Sequence, residues 1–224
     1  MNSKKLWAAA AVSCLALAGT AQGQSAGDWL ARIGATQIRP QVSSGDLSAP
    51  SLAGSQADVK SASQLSGGIT YMLDDHLSVD LPLSLPFKHD IVGAGAVAGA
   101  GKIGEVKALP VTLLAQYRFL APQSALRPYV GLGLTYAKFY KARTTAALSA
   151  LTGGSPTDPT TMKIDSRFGA TAQIGASYAF GGGWFVDVNA TKTLLKTTTT
   201  LSTGQTLDIK LDPVSISFAI GRSF

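Results

Sequence analysis

The sequence predicts an all-β protein: an eight-stranded antiparallel transmembrane β-barrel with short periplasmic turns and long extracellular loops. Apolar and small polar residues alternate with a period of two in eight segments of about ten residues, as in strands that face lipid on one side and a lumen on the other. The connections between these segments are alternately short and long. Charged residues make up only 14% of the 224 residues, well below the roughly one quarter that is usual in soluble domains.

The first four strands are predicted from apolar side chains at every second position. In the third strand this pattern is clearest, because apolar residues from Leu77 to Phe87 alternate with Ser, Asp and Pro. Pro82 and Pro86 within it each remove a ladder hydrogen bond. We therefore expect a weakened wall at this point, which is either a lateral gate or a bend or bulge. The four predicted strands cover residues 29–38, 65–73, 77–87 and 110–119.

The last four strands continue the alternation. In the segment RPYVGLGLTYAKFYKAR the even positions from Val130 are mostly apolar, whereas the odd positions from Tyr129 are mostly Gly, Thr and Ala. The apolar face predicts lipid contact. The small face suits the interior of an eight-stranded barrel, which is only just wide enough for side chains, and closure satisfies every backbone polar group inside the membrane. These strands cover residues 127–143, 167–180, 184–192 and 214–224.

Loop lengths and aromatic residues predict the orientation. Short turns are expected at 74–76, 121–126 and 181–183, and long loops at 39–63, 88–106, 144–165 and 197–208. In outer-membrane barrels the short turns face the periplasm, and girdles of aromatic residues mark both interfaces. The periplasmic girdle is predicted to hold Trp29, Tyr117, Phe119, Tyr129, Tyr178, Trp184 and Phe224, and the outer girdle Phe87, Tyr136, Tyr140 and Phe168.

The N-terminal residues 1–23 are predicted to be a cleaved signal peptide. Lys4 and Lys5 precede a short apolar run, and small residues follow it. Cleavage is expected after Gly23, with Ala26 as an alternative, and a lipoprotein attached through Cys14 is a further alternative. Residues 24–224 then form a single β-barrel domain. Cys14 is the only cysteine, so this domain contains no disulfide.

Other classes of protein fit less well. A soluble exported barrel would also alternate, but its polar faces would carry charges rather than Gly, Ser, Thr and Ala. The net charge of +6 comes without a basic run or an aromatic-basic motif, so no nucleic acid partner is expected. His76 and His89, the only histidines, fall at opposite predicted ends of the barrel. We therefore expect no metal, no cofactor and no enzymatic activity.

Several segments in order resemble the OmpW family of small outer-membrane proteins, which includes the alkane-uptake AlkL proteins. They are DWLARIGATQIRP (28–40), PFKHDI (86–91), GKIGEVKALPVTLLAQYRF (101–119), RPYVGLGLTYAKFY (127–140) and LDPVSISFAIGRSF (211–224). The resemblance implies an eight-stranded barrel of the Gram-negative outer membrane that takes up small hydrophobic molecules passively. It implies a narrow apolar pocket open to the outside and lateral release into the bilayer. It also implies that the barrel-assembly machinery reads Phe224.

Two features depart from the family pattern. Many members carry Trp just before the Gly that opens the sixth strand, where this chain reads SRFG (166–169). The third long loop, TTAALSALTGGSPTDPTT, is this chain's own. The outer pocket is therefore expected to differ in size and shape.

Apolar residues in or beside the long loops are candidates for the pocket. Apolar loop residues that face water are costly, so we expect them to line a funnel for hydrophobic solutes or to pack on each other and order the loops. These residues are Leu47, Leu52, Ile91, Val92, Val97, Ile103, Leu148 and Leu151.

Polar residues on the lumen face are candidates for a plug that stops water and ions. The alternative is a purely structural salt-bridge network, because buried charges must be paired. Both interpretations predict a barrel closed to ions. The residues are Arg32, Asp80, Gln116, Arg118, Asp187 and Asn189.

Cations are concentrated near the predicted outer ends of the strands. This basic rim suits the phosphates of lipopolysaccharide, and the alternative is a solvated rim without a partner. Its members are Lys88, Lys107, Lys138, Lys141, Arg143, Lys163, Lys192, Lys196 and Lys210. The sequence thus predicts a passive outer-membrane channel for small hydrophobic molecules or, alternatively, a structural or surface-interaction barrel.

Overall fold

Eight strands close into an antiparallel barrel in the computed structural model, which describes residues 24–224. The predicted signal peptide, with Cys14, lies outside these residues. Each strand pairs with its neighbour along the chain, and the ring closes between the first and last strands. The predicted barrel is confirmed. Its strands are β1 (Trp29–Arg39), β4 (Ala62–Met72), β5 (Leu77–Ser84), β7 (Lys102–Arg118), β8 (Leu126–Thr144), β10 (Arg167–Gly181), β11 (Trp184–Leu194) and β14 (Val214–Ser223).

The long extracellular connections are more regular than the sequence predicted. Segment 88–106, expected to be a loop, consists mainly of the strand β6 (Phe87–Gly95) and the outer part of β7, which pair with each other. Four other short strands from three loops form a second antiparallel sheet. The further elements are β2 (Ser43–Ser44), β3 (Ser55–Val59), β9 (Met162–Ile164), β12 (Lys196–Leu201), β13 (Thr206–Lys210), the helix α1 (Ala146–Thr152) and a 3₁₀ turn (Ala98–Ala100).

No helix between Gln24 and Phe224 is long and apolar enough to cross a membrane. The barrel strands carry the predicted apolar band on their outer face, where Ile33 is 59% and Leu132 is 71% exposed to the surroundings. At the periplasmic end the rings of Trp29 and Tyr71 lie 4.7 Å apart. At the outer end Tyr136 and Phe168 lie 4.8 Å apart.

Two aromatic residues were predicted wrongly as members of the girdles. Tyr129 and Phe87 are both only 1% exposed and lie inside the barrel. Tyr129 occupies an odd position of β8, so it shares the lumen face with Gly131. One extra residue lies between the pairs Asp80–Leu114 and Phe87–Ala108, and it turns the Phe87 side chain to the inner face of the barrel. One additional residue moves all following side chains to the other face.

Candidate functional site

A buried ion pair lies in the lumen near the middle of the barrel. The Arg32 guanidinium donates two hydrogen bonds of 2.8 Å to the two carboxylate oxygens of Asp80, from β1 to β5. Thr70 on β4 donates a third, of 2.6 Å, to the same carboxylate. Asp80 is completely buried. A bidentate Arg–carboxylate pair with an added hydroxyl donor is the geometry that makes a buried charge pair tolerable.

A second carboxylate is held on the opposite wall. Asp187 on β11 accepts hydrogen bonds from the Tyr129 hydroxyl at 2.9 Å and from the Asn189 amide at 2.9 Å. The Arg118 guanidinium lies 4.7 Å from the centre of the Tyr129 ring. Gly175 makes room for this ring, since a Cβ atom there would lie 2.5 Å from Tyr129 Cζ. Tyr129 therefore joins a cation and an anion across the lumen.

The periplasmic end is closed by a further set of hydrogen bonds. Arg118 donates to the side-chain oxygen of Gln116 at 3.0 Å and to that of Gln24 at 2.9 Å. Gln116 in turn donates to Gln173 at 2.7 Å. Arg127 donates to the Gln24 carbonyl at 2.5 Å. Gln24, at the start of the described residues, is only 3% exposed and so fills the periplasmic mouth.

The six polar residues predicted to face the lumen all lie in this polar layer. Every buried side-chain nitrogen or oxygen between Gln24 and Phe224 has a hydrogen-bond partner. The sequence reasoning did not identify Gln24, Arg127, Tyr129 and Gln173 as members. Tyr129 and Gln173 could have been found from the period-two alternation of their strands, whereas Gln24 carried no strand signal.

An apolar cavity of about 210 Å³ lies above the polar layer, toward the outside. Its lower wall includes a belt of threonines that are bonded to each other, Thr112 to Thr135 at 2.8 Å and Thr135 to Thr171 at 2.6 Å. Its upper wall is apolar and is contributed by β6, β7, α1 and the second sheet. The buried apolar residues of this upper wall include Ile91, Ile103, Val106, Leu148, Leu195, Leu201, Leu207, Ile209 and Leu211.

Six of the eight residues predicted for the pocket line this cavity, and two do not. Leu52 is 65% exposed on a loop. Val92 follows Ile91 on β6 and therefore points to the opposite, outer face. The contribution of β12 and β13 to the cavity wall was not predicted, although Leu207, Ile209 and Leu211 alternate with polar residues. The six lining residues are Leu47, Ile91, Val97, Ile103, Leu148 and Leu151.

The barrel wall is interrupted beside the cavity. Pairing between β5 and β7 ends at Asp80 and Leu114, and pairing between β6 and β7 resumes only at Phe87 and Ala108. Residues 81–86 and residues 109–113 do not pair with each other, and we call this stretch the wall gap.

Prolines explain the wall gap. Leu85 N donates to Leu65 O of β4 at 3.1 Å. Because successive N–H groups of a strand point to alternate neighbours, positions 82 and 84 present their backbone to β7, whereas the Pro86 carbonyl accepts a hydrogen bond from the Gln64 side chain of β4 at 3.2 Å. Pro82 has no N–H group to donate to β7, and Pro110 removes a donor on the facing edge of β7.

The wall gap lies between the cavity and the membrane. Pro82, Ser84, Pro110 and Thr112 line the cavity on the inner side. On the outer side Leu83 and other apolar residues face the lipid. A solute in the cavity therefore lies beside a part of the wall that backbone hydrogen bonds do not seal.

The predicted basic rim lies along the outer ends of the strands and the second sheet. Lys88 Nζ lies 2.8 Å and Lys102 Nζ 2.9 Å from the same oxygen of Glu105. These hydrogen bonds lower the pKa of Glu105 to about 2. Lys192 donates to Gln41 and to the Asp212 carbonyl, and Lys210 lies 3.1 Å from the Asp212 carboxylate. The other predicted rim residues are exposed: Lys107, Lys138, Lys141, Arg143, Lys163 and Lys196.

The closed barrel, its apolar outer band and its polar lumen define an outer-membrane β-barrel protein. The OmpW family's sequence model matches residues 25–224, and the chain belongs to this family. Outer membrane protein W of Vibrio cholerae serotype O1 is 30% identical over 202 residues, which cover 88% of this chain and 89% of the relative. The protein accordingly resides in the outer membrane.

Two further comparisons give a structure and a more distant relative. The crystal structure of OprG from Pseudomonas aeruginosa superimposes with a TM-score of 0.81 at 29% identity, covering 91% of this chain and 98% of that chain. The dibenzothiophene metabolism operon protein PahQ of Pseudomonas aeruginosa is 26% identical over 200 residues, 88% of each chain.

Proposed function

We propose that this protein is a passive channel for small hydrophobic molecules, which enter the outer cavity and leave through the wall gap into the bilayer. The observation that carries the proposal is the contact between an apolar cavity and an unpaired part of the wall. The polar layer beneath the cavity makes the lumen an unfavourable exit for an apolar solute, because its charges would lose their partners.

The size of the cavity supports a small solute. A dry engineered cavity of roughly 150 Å³ is sufficient to bind benzene, and the cavity here has about 210 Å³. The name of PahQ places that relative in an operon for the metabolism of dibenzothiophene, an apolar aromatic compound. We therefore favour small aromatic solutes. A structural or surface-interaction barrel remains the alternative, and it requires no solute in the cavity.

Filling the cavity is expected to stop uptake. Ile91→Trp places a larger ring in the cavity, where overpacking costs roughly 1–3 kcal/mol. Entry of labelled toluene into cells should therefore fall by about fivefold or more. The matched control is Val92→Trp, because Val92 lies on the same strand but on the outer face. Toluene entry should be measured in cells with each variant and without the protein. Equal uptake by all of them would contradict transport and leave the structural alternative.

We also propose that the basic rim binds lipopolysaccharide phosphates. Lys88 lies directly opposite Lys107 between β6 and β7, and Lys138 follows on the adjacent strand β8. Glu105 offsets the charge of Lys88, whereas Lys107 and Lys138 form no ion pair within residues 24–224 and are available to a phosphate. Exposed cations at this height meet the anionic surface of the outer leaflet.

The rim proposal predicts a weaker interaction after removal of two exposed cations. Lys107→Gln with Lys138→Gln should weaken lipopolysaccharide binding by about fivefold for each lysine, because each contributes ~1 kcal/mol at an anionic surface. The control is Arg222→Gln, which changes an exposed cation at the periplasmic end. Binding is measured with purified protein and native or dephosphorylated lipopolysaccharide. Equal binding of the two lipids to the unchanged protein would refute phosphate recognition.

A further inference from the structure

His89 is a polar side chain in the upper wall of the outer cavity. It lies on β6 between Phe87 and Ile91, faces inward and is only 5% exposed. All three residues line the cavity. The His89 ring stacks near the Phe87 ring at a centroid distance of 6.3 Å. An imidazole among apolar side chains is a candidate for specific recognition of a solute.

The hydrogen bond made by one ring nitrogen of His89 determines whether the other nitrogen is a donor or an acceptor. His89 Nδ1 lies 2.8 Å from the carbonyl oxygen of Lys60. A carbonyl oxygen can only accept, so Nδ1 carries the hydrogen in this contact. Burial lowers the pKa of His89 below its ordinary value, which favours the neutral ring at pH 7. In the neutral ring with a hydrogen on Nδ1, Nε2 carries a free lone pair and is a hydrogen-bond acceptor.

Nε2 has space in front of it. Within residues 24–224 no side chain or backbone group donates to this atom. Every fully buried side-chain nitrogen or oxygen in the same part of the chain does have a partner. Nε2 is therefore not enclosed by protein, and the open space that His89 lines is the cavity.

Several other polar groups of the cavity wall are already bonded. The threonine hydroxyls of the lower wall bond to each other. Arg32 and Asn189 are held by the carboxylates of the polar layer. An unsatisfied acceptor in the upper wall has no such partner and is available to a solute.

We propose that the outer cavity selects small apolar molecules that carry one hydrogen-bond donor, such as phenols, by accepting that hydrogen at His89 Nε2. This proposal rests on the proposed channel function and narrows its class of solutes. The apolar wall takes the ring or chain of the solute, and the imidazole takes its hydroxyl group. An isosteric hydrocarbon fills the same space but leaves Nε2 unbonded, so it should bind less tightly by roughly three- to tenfold.

The experiment compares three probes of nearly equal size on the purified protein in lipid nanodiscs. Phenol donates a hydrogen bond, anisole only accepts one and toluene does neither. Binding to empty nanodiscs is subtracted for each probe. We expect phenol to bind roughly three- to tenfold more tightly than anisole and toluene. His89→Phe should remove this preference, so that phenol binds no more tightly than toluene, whereas His76→Phe, at the periplasmic turn, should retain it.

A measurement without any substitution protects the test against misfolding of a variant. The ¹⁵N resonance of His89 Nε2 should move to lower chemical shift when phenol is added and remain in place with toluene, because only phenol donates to it. Binding of toluene and phenol with equal affinity and an unmoved resonance would overturn the inference but leave the channel. Failure of all three probes to bind would instead overturn the proposed function together with the inference.

Discussion

Asp80→Asn is expected to reduce the free energy of unfolding of the barrel by about 3–5 kcal/mol, because it leaves the Arg32 guanidinium buried without its carboxylate. Both bonds of the pair are 2.8 Å long and Asp80 is completely buried. The shape of the side chain is retained, so the loss reflects charge rather than packing. Urea titration at equilibrium in lipid vesicles should show a lower midpoint with an unchanged slope.

Two further variants test the explanation. Asp58→Asn breaks the exposed Lys60–Asp58 pair and should cost less than about 1 kcal/mol. Arg32→Met combined with Asp80→Leu removes both charges and should restore most of the stability, because an apolar pair of similar volume replaces a buried ion pair at little cost. If the double variant were as unstable as Asp80→Asn, the loss would come from packing and the electrostatic account would be wrong.

Closing the wall gap is expected to abolish lateral release. Pro82→Ala with Pro110→Ala restores two N–H groups that point across the wall gap. Two backbone hydrogen bonds of roughly 0.5–1.5 kcal/mol each would favour the closed wall, so toluene entry should fall by about tenfold. Hydrogen exchange provides the structural measurement, because the new amides at positions 82 and 110 should become protected.

The control for the gap is a proline that lies elsewhere in the wall. Pro128 is on β8, opposite Ala176, where the pairing is continuous. Pro128→Ala should therefore leave toluene entry unchanged. Protected amides at positions 82 and 110 together with undiminished entry would rule out the wall gap as the exit. The cavity would then have to empty in another direction.

Local periodicity was sufficient to predict the barrel strands, because lipid-facing positions are apolar whichever strand lies next to them. Ile33 and Leu132 could be assigned to the outer face without knowledge of any partner strand. Phe87 could not, since its face depends on one extra residue in the pairing with β7. The polarity of Arg32 and Asp80 predicted that both face the lumen and need partners, but which residues pair depends on the shear of the barrel.

The outer cavity was predictable only in part because it is built from non-local contacts. Ile91 and Leu148 were identified as apolar residues that needed cover, and the cavity provides it. Leu52 has the same character in the sequence but lies on an exposed loop. Ile209 lies in the wall because β13 pairs with β12 and β2. The alternation of Leu207, Ile209 and Leu211 predicts a buried face, but the period of a segment does not identify the distant strand with which it pairs.

The closure between β1 and β14 has a consequence for the order of events during biogenesis. Trp29 and Phe224 exchange backbone hydrogen bonds of 2.8 and 2.9 Å, so the first strand completes its ladder only with the last. Contacts between such distant parts of a chain form slowly. Until translation and export have delivered the final strand, one edge of β1 stays open to other chains. The edge of β1 that faces β14 is therefore the strand edge that stays unpaired for longest in the unfinished polypeptide.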